Sequence, residues 1–260
     1  MKHLATATLA LTGVLSLAST ASALAVLQIS VDPNFTAGAL TLQIQDDGPG
    51  DLATPAENEI IARASVAAPF NGFSFTASVG TSNEGTPNTN ILLNVQDVTR
   101  SATGSFDTIY FRFTDNNLTQ PGDPNSQMLL SSSASSNDPM PLPLSVRFQA
   151  FGDPNNALFG TTFALPEATC AYTTPPGSTT ASCASNQLGS FFRPEANYSL
   201  TNAIAVQLQQ GTQLGNASLS TNVTATPIPE PASLLLLGSG LAAASAAARR
   251  RRAKQAQAQA

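Results

Sequence analysis

Apolar and polar residues alternate along most of the chain between residues 26 and 226, with no long stretch of helical period. A period of two with one polar face is typical of antiparallel strands, whose successive side chains point to opposite faces. Five segments alternate clearly. Their expected core residues are Leu40, Leu42 and Ile44; Phe73, Phe75, Ala77 and Val79; Ile109, Phe111 and Phe113; Leu144, Val146 and Phe148; and Ile204, Val206 and Leu208. Weaker strand candidates are residues 26–31, 60–66, 91–99, 157–164 and 214–223.

Turn-forming segments separate these strands. Gly, Pro, Asn and Asp cluster at residues 46–50, 71–72, 120–124 and 152–155, and such clusters mark chain reversals. Residues 131–143 are rich in Ser and Pro, which indicates a surface loop. About ten short strands with these turns predict an all-β fold, a single antiparallel β-sandwich. Because no internal repeat divides the segment, residues 26–226 are expected to form one ectodomain.

The N-terminus has the features of a secretory signal peptide, expected over residues 1–25. Lys2 supplies a positive charge, residues 4–17 are mostly apolar, and an Ala-Leu-Ala cleavage site ends at Ala25. A second site, Ala-Ser-Ala, ends at Ala23, so both cleavage positions remain open. The expected partners at this step are a Sec-type export machinery and signal peptidase.

The C-terminal segment, residues 227–254, has three parts followed by a short tail at 255–260. The first part is the tripeptide Pro229, Glu230 and Pro231, and the second is the uncharged run 232–248. The third is a basic cluster formed by Arg249, Arg250, Arg251, Arg252 and Lys254.

Each part of this segment has a physical consequence for membrane insertion. A helix over 232–248 is about 26 Å long, at the short end of what crosses a hydrocarbon core of about 30 Å. The basic cluster resists translocation and should stay on the cytoplasmic side. The prolines at 229 and 231 cannot donate backbone hydrogen bonds, so they stop the helix from extending into the ectodomain. The sequence therefore predicts a transmembrane helix at 232–248 in contact with lipid.

This three-part segment resembles the PEP-CTERM sorting signal of exported bacterial proteins. The resemblance implies recognition by an exosortase-type membrane protease, which removes the tail during delivery to the cell surface or extracellular matrix of a Gram-negative-type bacterium. The alternative is a simple C-terminal anchor. Residues 42–51, 94–116 and 198–201 also resemble a group of PEP-CTERM surface proteins, which favours a β-rich fold and the same export route and transfers no catalytic residue.

Charge and residue types exclude several classes of function. Between residues 26 and 226 the chain has five arginines, no lysine and fifteen carboxylates, a net charge of −10. Such a domain is a poor partner for nucleic acid or an anionic membrane surface. The only histidine, His3, lies in the signal peptide, so a Ser-His-Asp triad, a Cys-His pair, a lysine Schiff base and a histidine-ligated metal are excluded. No catalytic residue is assigned.

Cys170 and Cys183 are the only cysteines, and they flank a turn-rich segment. Outside the cytoplasm, two such cysteines are expected to form a disulfide. A reactive thiol is the alternative, but no basic neighbour is present to lower a thiol pKa.

Acidic residues cluster on a Gly-rich segment where Asp46, Asp47 and Asp51 precede Glu57 and Glu59. Clustered carboxylates supply the oxygen ligands that calcium prefers, so calcium is the one cofactor that the sequence leaves open. Their spacing does not match a twelve-residue calcium loop. This favours the alternative, a solvated turn whose Asp side chains bond their own backbone.

Two functions from different classes follow. The first is a non-enzymatic surface or matrix protein, sorted through its C-terminal segment and retained with exopolysaccharide or biofilm. The second is a carbohydrate- or calcium-binding module. A carboxylate-dependent glycosidase is a further alternative that ranks behind the binding module, and it needs two facing carboxylates. Tyr110 is the best exposed aromatic candidate for a glycan, although cross-strand packing explains it equally well. A cleft with converging acids and a tyrosine would favour the second function, and flat Ser/Thr/Asn faces would favour the first.

Overall fold

The computed structural model describes residues 24–53, 59–82, 88–119, 126–139, 145–172, 180–193 and 197–226. These residues contain thirteen strands and no helix. The strands are β1 (Ala25–Ser30), β2 (Thr41–Gln45), β3 (Glu59–Ala64), β4 (Phe73–Ser82), β5 (Asn88–Arg100), β6 (Thr108–Leu118), β7 (Ser126–Pro139), β8 (Ser145–Asp153), β9 (Phe163–Ala164), β10 (Ala168–Ala171), β11 (Thr180–Arg193), β12 (Tyr198–Gln207) and β13 (Gln213–Thr226).

The strands form two antiparallel sheets packed face to face. Sheet A has the order β10-β8-β12-β6-β1-β2, with β9 paired to β8, and sheet B has the order β11-β7-β13-β5-β4-β3. All pairings within both sheets are antiparallel. The predicted single antiparallel β-sandwich is confirmed.

The core lies between the sheets and follows the alternation in the sequence. Ile109, Phe111 and Phe113 are fully buried on β6, and Phe111 pairs in register with Ile29 on one side and Ile204 on the other. Across the sandwich, the Phe75 ring meets the Phe111 ring edge to face with centroids 5.2 Å apart. This contact joins the two sheets near the middle of the core.

Buried polar side chains also connect the sheets. The Asn202 amide on β12 donates to the backbone carbonyls of Ile91 (3.2 Å) and Leu219 (2.9 Å) in sheet B, and it accepts from the Thr221 hydroxyl. The Tyr198 hydroxyl donates to Thr89 Oγ1 at 2.9 Å, and burial raises the pKa of this phenol. Since buried polar groups are costly unless bonded, these contacts favour one alignment of the sheets.

The predicted surface loop at 131–143 is wrong over its described part. Residues 131–139 belong to β7, which pairs with β11 on one side and β13 on the other. Ser132, Ala134 and Ser136 face the core, and small side chains at alternate positions gave no apolar signal. The two neighbouring strands satisfy the backbone of β7, so a serine-rich segment can form an interior strand.

Strands β10 and β11 were not predicted, because their residues are mostly small or polar. The strand expected over 157–164 is confirmed only at Phe163–Ala164. The preceding residues form a turn in which Gly160 N–H donates to the Ala157 carbonyl at 3.1 Å. Of the core residues expected on β2, Ile44 is buried, but Leu40 and Leu42 are exposed, because β2 is the edge strand of sheet A.

A disulfide joins the two sheets at one side of the sandwich. Cys170 on β10 and Cys183 on β11 are bonded, with Cα atoms 6.0 Å apart, so this prediction is confirmed. The bond closes a loop that contributes about 3 kcal/mol to stability in the chain-entropy model. It ties the edge strand of sheet B to the edge strand of sheet A.

Both targeting segments lie almost entirely outside the described residues. The signal peptide is described only from Leu24 onward, and the predicted helix at 232–248 and the basic cluster are not described. Within the described ranges no helix has the length and apolar character needed to cross a membrane. Ala25, the last residue of the expected signal peptide, is the first residue of β1.

Candidate functional site

A groove runs along the outer face of sheet A. Its floor is formed by Ala203 and Ala205 on β12, the strand between β6 and β8. Strand register places Tyr110 of β6 and Arg147 of β8 on either side of Ala205. Two small side chains flanked by large ones leave a trough of about 430 Å³, counting the space open to solvent. We call this trough the alanine groove.

An arginine held by two aromatic rings forms one end of this region. The Arg112 guanidinium carbon lies 3.9 Å from the centroid of the Phe35 ring and 4.3 Å from that of Phe159. Arg112 Nε donates to Gln28 Oε1 at 2.6 Å, and Gln28 Nε2 donates to Gln43 Oε1 at 2.6 Å. Burial lowers the pKa of the guanidinium to about 10, so it remains a cation at neutral pH. The cation–π contacts offset part of its desolvation.

Two loops bring the aromatic rings to this place. The segment after β8 docks on sheet A through Phe159 N–H, which donates to Thr114 Oγ1 at 3.2 Å, and the Ser199 hydroxyl, which donates to the Ala157 carbonyl at 2.7 Å. The segment after β1 carries Phe35, whose φ of 51° lies in the left-handed region. Phe35 also packs against Tyr110 with ring centroids 6.2 Å apart.

The opposite wall of the alanine groove is polar. Arg147 and Glu167 approach within 3.9 Å, with about two-fifths of each side chain exposed, and Gln149 lines the groove beside them. A pair this exposed contributes little to stability, so both groups are available to a ligand. The groove therefore presents an aromatic wall opposite hydrogen-bond donors and acceptors, the arrangement that suits the apolar face and hydroxyls of a sugar.

The outer face of sheet B carries mostly uncharged polar side chains. Amide and hydroxyl side chains cover it along four strands; they include Asn186 and Ser190 on β11, Ser133, Ser135 and Asn137 on β7, Asn216, Ser218 and Ser220 on β13, and Asn90, Asn94 and Gln96 on β5. Asp97 lies at one end of this face. We call it the Ser/Asn face. An uncharged polar face of this kind is the surface expected of a surface or matrix protein.

The acidic cluster is organised as a turn. Asp51 Oδ1 accepts from Ala53 N–H (2.8 Å) and Ile61 N–H (3.0 Å), and its Oδ2 accepts from Asp47 N–H (3.1 Å). Asp47 itself has a φ of 55°. Within the described residues, which omit Glu57, no three His, Cys, Asp or Glu side chains are placed to hold a metal ion. These contacts support the turn interpretation for Asp51, and Asp46 and Asp47 precede it on the same turn.

Sequence reasoning identified Tyr110 but missed the rest of this site. Phe35, Arg112 and Phe159 are far apart in the chain, and only the folded loops bring them together. One signal was available, since Ala203 and Ala205 stand at outward positions of a strongly alternating strand. Small residues at such positions mark a depression when the neighbouring strands carry large ones.

The C-terminal segment matches a family model. Residues 227–252 match the model described as PEP-CTERM protein-sorting motif, which confirms the resemblance and includes Pro229, Glu230 and Pro231. The match indicates an exported protein. A comparison of the chain with curated proteins gives no match.

Several solved structures are similar to the sandwich. An adhesin domain of Lys-gingipain from Porphyromonas gingivalis W83 is 14% identical, with 68% of this chain and 89% of that chain covered and a TM-score of 0.31. A carbohydrate-binding module that recognises mannan is 13% identical (66% and 93% covered, TM-score 0.31). A family 11 carbohydrate-binding module of a Clostridium thermocellum cellulase is 11% identical (68% and 92% covered, TM-score 0.24). At these values none of them assigns a ligand to this protein.

Proposed function

We propose that this protein is a non-enzymatic component of the bacterial surface or extracellular matrix, delivered by an exosortase-type protease that removes its C-terminal segment. The match of residues 227–252 to a protein-sorting motif carries the proposal. The motif follows directly after β13, the last strand of the ectodomain. Cleavage at the motif therefore separates a complete sandwich from the membrane.

The composition of the domain supports a structural role. Residues 26–226 contain no histidine or lysine, which removes the usual acid–base and nucleophilic catalysts. A disulfide and bonded polar groups between the sheets suit a protein that persists outside the cell. The Ser/Asn face offers many hydrogen-bonding groups to a hydrated exopolysaccharide, the matrix partner we propose.

The mature N-terminus that best fits the fold is Leu24. Ala25 is buried, and its carbonyl accepts from Asp46 N–H at 3.2 Å. Leu24 N–H donates to Asn116 Oδ1 at 3.1 Å. Cleavage after Ala23 keeps these contacts, whereas cleavage after Ala25 removes them. Of the two cleavage sites expected from the sequence, we therefore propose the one after Ala23.

Fractionation of cells with and without the exosortase-type protease tests this proposal. We expect protease-positive cells to yield a surface or released form whose intact mass corresponds to a start at Leu24 and loss of the C-terminal segment. In protease-negative cells the form retaining residues 232–260 should accumulate in the inner membrane, because the apolar run and basic cluster remain. An identical mass and location in both strains would contradict the proposal.

The alanine groove favours a second candidate function, binding of a glycan chain. Its aromatic wall, formed by Phe35 and Tyr110, faces Arg147, Glu167 and Gln149 across a floor one strand wide. A sugar ring in the groove stacks on Tyr110 and bonds to the polar wall. The same surface is compatible with a matrix role, since glycan binding retains an exported protein in exopolysaccharide.

Replacing Tyr110 by alanine should weaken this binding. We expect affinity for the exopolysaccharide of the producing cells, measured by affinity electrophoresis, to fall at least about tenfold, because a central aromatic contact contributes about 1.4 kcal/mol or more. Leu52→Ala removes a side chain that is 59% exposed and lies outside both the alanine groove and the Ser/Asn face, so it serves as the control, with unchanged affinity. Equal binding by the two variants at equal thermal midpoints would eliminate the alanine groove as the site.

A further inference from the structure

Strand β11 is a long edge with one side open. Its fourteen residues pair with β7, and it ends the strand order of sheet B. Among the described residues, no backbone hydrogen bond reaches its outer side. The other edges are shorter, with six residues in β3, five in β2 and four in β10. β11 therefore presents the longest row of unpaired donors and acceptors in the described sandwich.

This edge lacks the features that normally protect exposed strands. Charges, prolines, bulges and short length prevent edge strands from pairing with other chains. Residues 180–192 contain no charged residue and no proline, and their register with β7 has no shift. The one charged residue of the strand, Arg193 at its end, is fully buried and donates to the Thr119 carbonyl at 2.8 Å. By contrast, β3 carries Glu59 and Arg63. β11 alone combines length with an unprotected sequence.

The inner side of β11 is firmly held, which makes the open side a preformed surface. A Cβ added at Gly189 would lie 2.7 Å from atoms of Leu165 and Phe163, so these side chains pack closely on the strand. The Phe191 ring contacts the Tyr198 ring with centroids 5.9 Å apart. The disulfide at Cys183 ties the strand to β10. Little further ordering is needed for a partner strand to pair, which lowers the entropic cost of association.

Two large apolar side chains on β11 point to solvent. Leu188 is 70% exposed and Phe192 is 54% exposed. They are four residues apart, so the period of two places both on the outer face, together with Ala184. Both side chains lie at the margin of the Ser/Asn face, on the edge strand. Only a second chain placed beside β11 would bury their apolar area.

We propose that β11 pairs antiparallel with β11 of a second copy of this chain, joining two six-stranded sheets across a two-fold axis. The ectodomain has a net charge of −10, so two copies repel through most of their surface. The uncharged edge of β11 is the place where they approach at the lowest electrostatic cost. A pairing centred on Leu188 sets this residue opposite its own copy and Phe192 opposite Ala184, which matches a large side chain with a small one.

The oligomeric state of full-length protein in mild detergent tests this proposal. We expect sedimentation equilibrium to give a mass of two chains and Leu188→Lys to raise the dimer dissociation constant at least about tenfold, because it places two like charges face to face. At a protein concentration where both proteins are monomeric, the thermal midpoint should stay unchanged, since Leu188 is exposed. The tail is the same in both proteins, so it cannot cause the difference.

Leu92→Lys is the matched control, because Leu92 is 41% exposed on the same face but lies three strands from the edge, on β5. This variant should remain dimeric. A dimer lost equally in both variants would show that the Ser/Asn faces stack on each other, and the edge proposal would be wrong. A monomeric wild type, or a Leu188→Lys variant that dimerises normally, would also overturn it.

Discussion

Changing Pro229, Glu230 and Pro231 to alanine is expected to abolish processing and to leave a membrane-bound form with its tail attached. Insertion should continue, because residues 232–248 and the basic cluster are unchanged and these determine insertion and orientation. The tripeptide acts at a different step. We expect its prolines to keep the backbone extended and Glu230 to be hydrated at the outer interface. Alanines should instead extend the helix predicted at 232–248 and hide the segment from a membrane protease.

Immunoblots of membrane and released fractions measure this effect with an antibody against the ectodomain. A second variant with Arg249, Arg250, Arg251 and Arg252 changed to serine provides the comparison. It should weaken orientation and retention before processing, because the positive charges are lost while the tripeptide is intact. Release of a normally shortened ectodomain from the triple-alanine variant would show that the segment is only an anchor.

Strands with apolar residues at alternate positions were predictable from the sequence. On β6 and β12, hydrophobic side chains face the core and polar ones face outward, so the pattern identifies both strand and face. β7 and β11 were not predicted, because their inward positions include Ser132, Ser136 and Gly189. These residues are small enough to pack in the core but give no alternating apolar pattern. Their strand conformation depends on neighbouring strands that are distant in sequence, and local residue propensities contain no information about such pairing.

The candidate sites also differ in how far the sequence alone predicts them. The sorting motif is a contiguous pattern and could be identified from residues 227–252 alone. The alanine groove could not, because the loop after β1 supplies Phe35 to its wall and the loop after β8 carries Phe159 onto the neighbouring Arg112. The turn at Asp51 is intermediate: its residue types predict backbone bonding, but the bond to Ile61 N–H joins it to β3, and this neighbour follows only from the fold.

Phe111→Ala should destabilise the ectodomain by about 3 to 5 kcal/mol, the usual cost of removing a buried phenylalanine. Phe111 is fully buried on β6, a strand with neighbours on both sides in sheet A. The missing ring leaves a cavity that the two adjacent strands prevent from closing. Chemical denaturation at low protein concentration measures the change. Phe192→Ala, a phenylalanine that is 54% exposed, is the control, with an expected change within about 0.5 kcal/mol.

The pairing of Phe111 with Phe75 makes this prediction more specific. Because the two rings meet edge to face across the sheets, each single alanine variant loses the same ring contact, worth about 0.5 to 1.5 kcal/mol beyond its buried area. The double variant should therefore lose less stability than the sum of the single variants, since the contact is removed only once. Strict additivity would mean that the rings do not interact. Equal stability of the Phe111→Ala and Phe192→Ala variants would contradict the burial of Phe111, and with it the placement of β6 at the centre of the core.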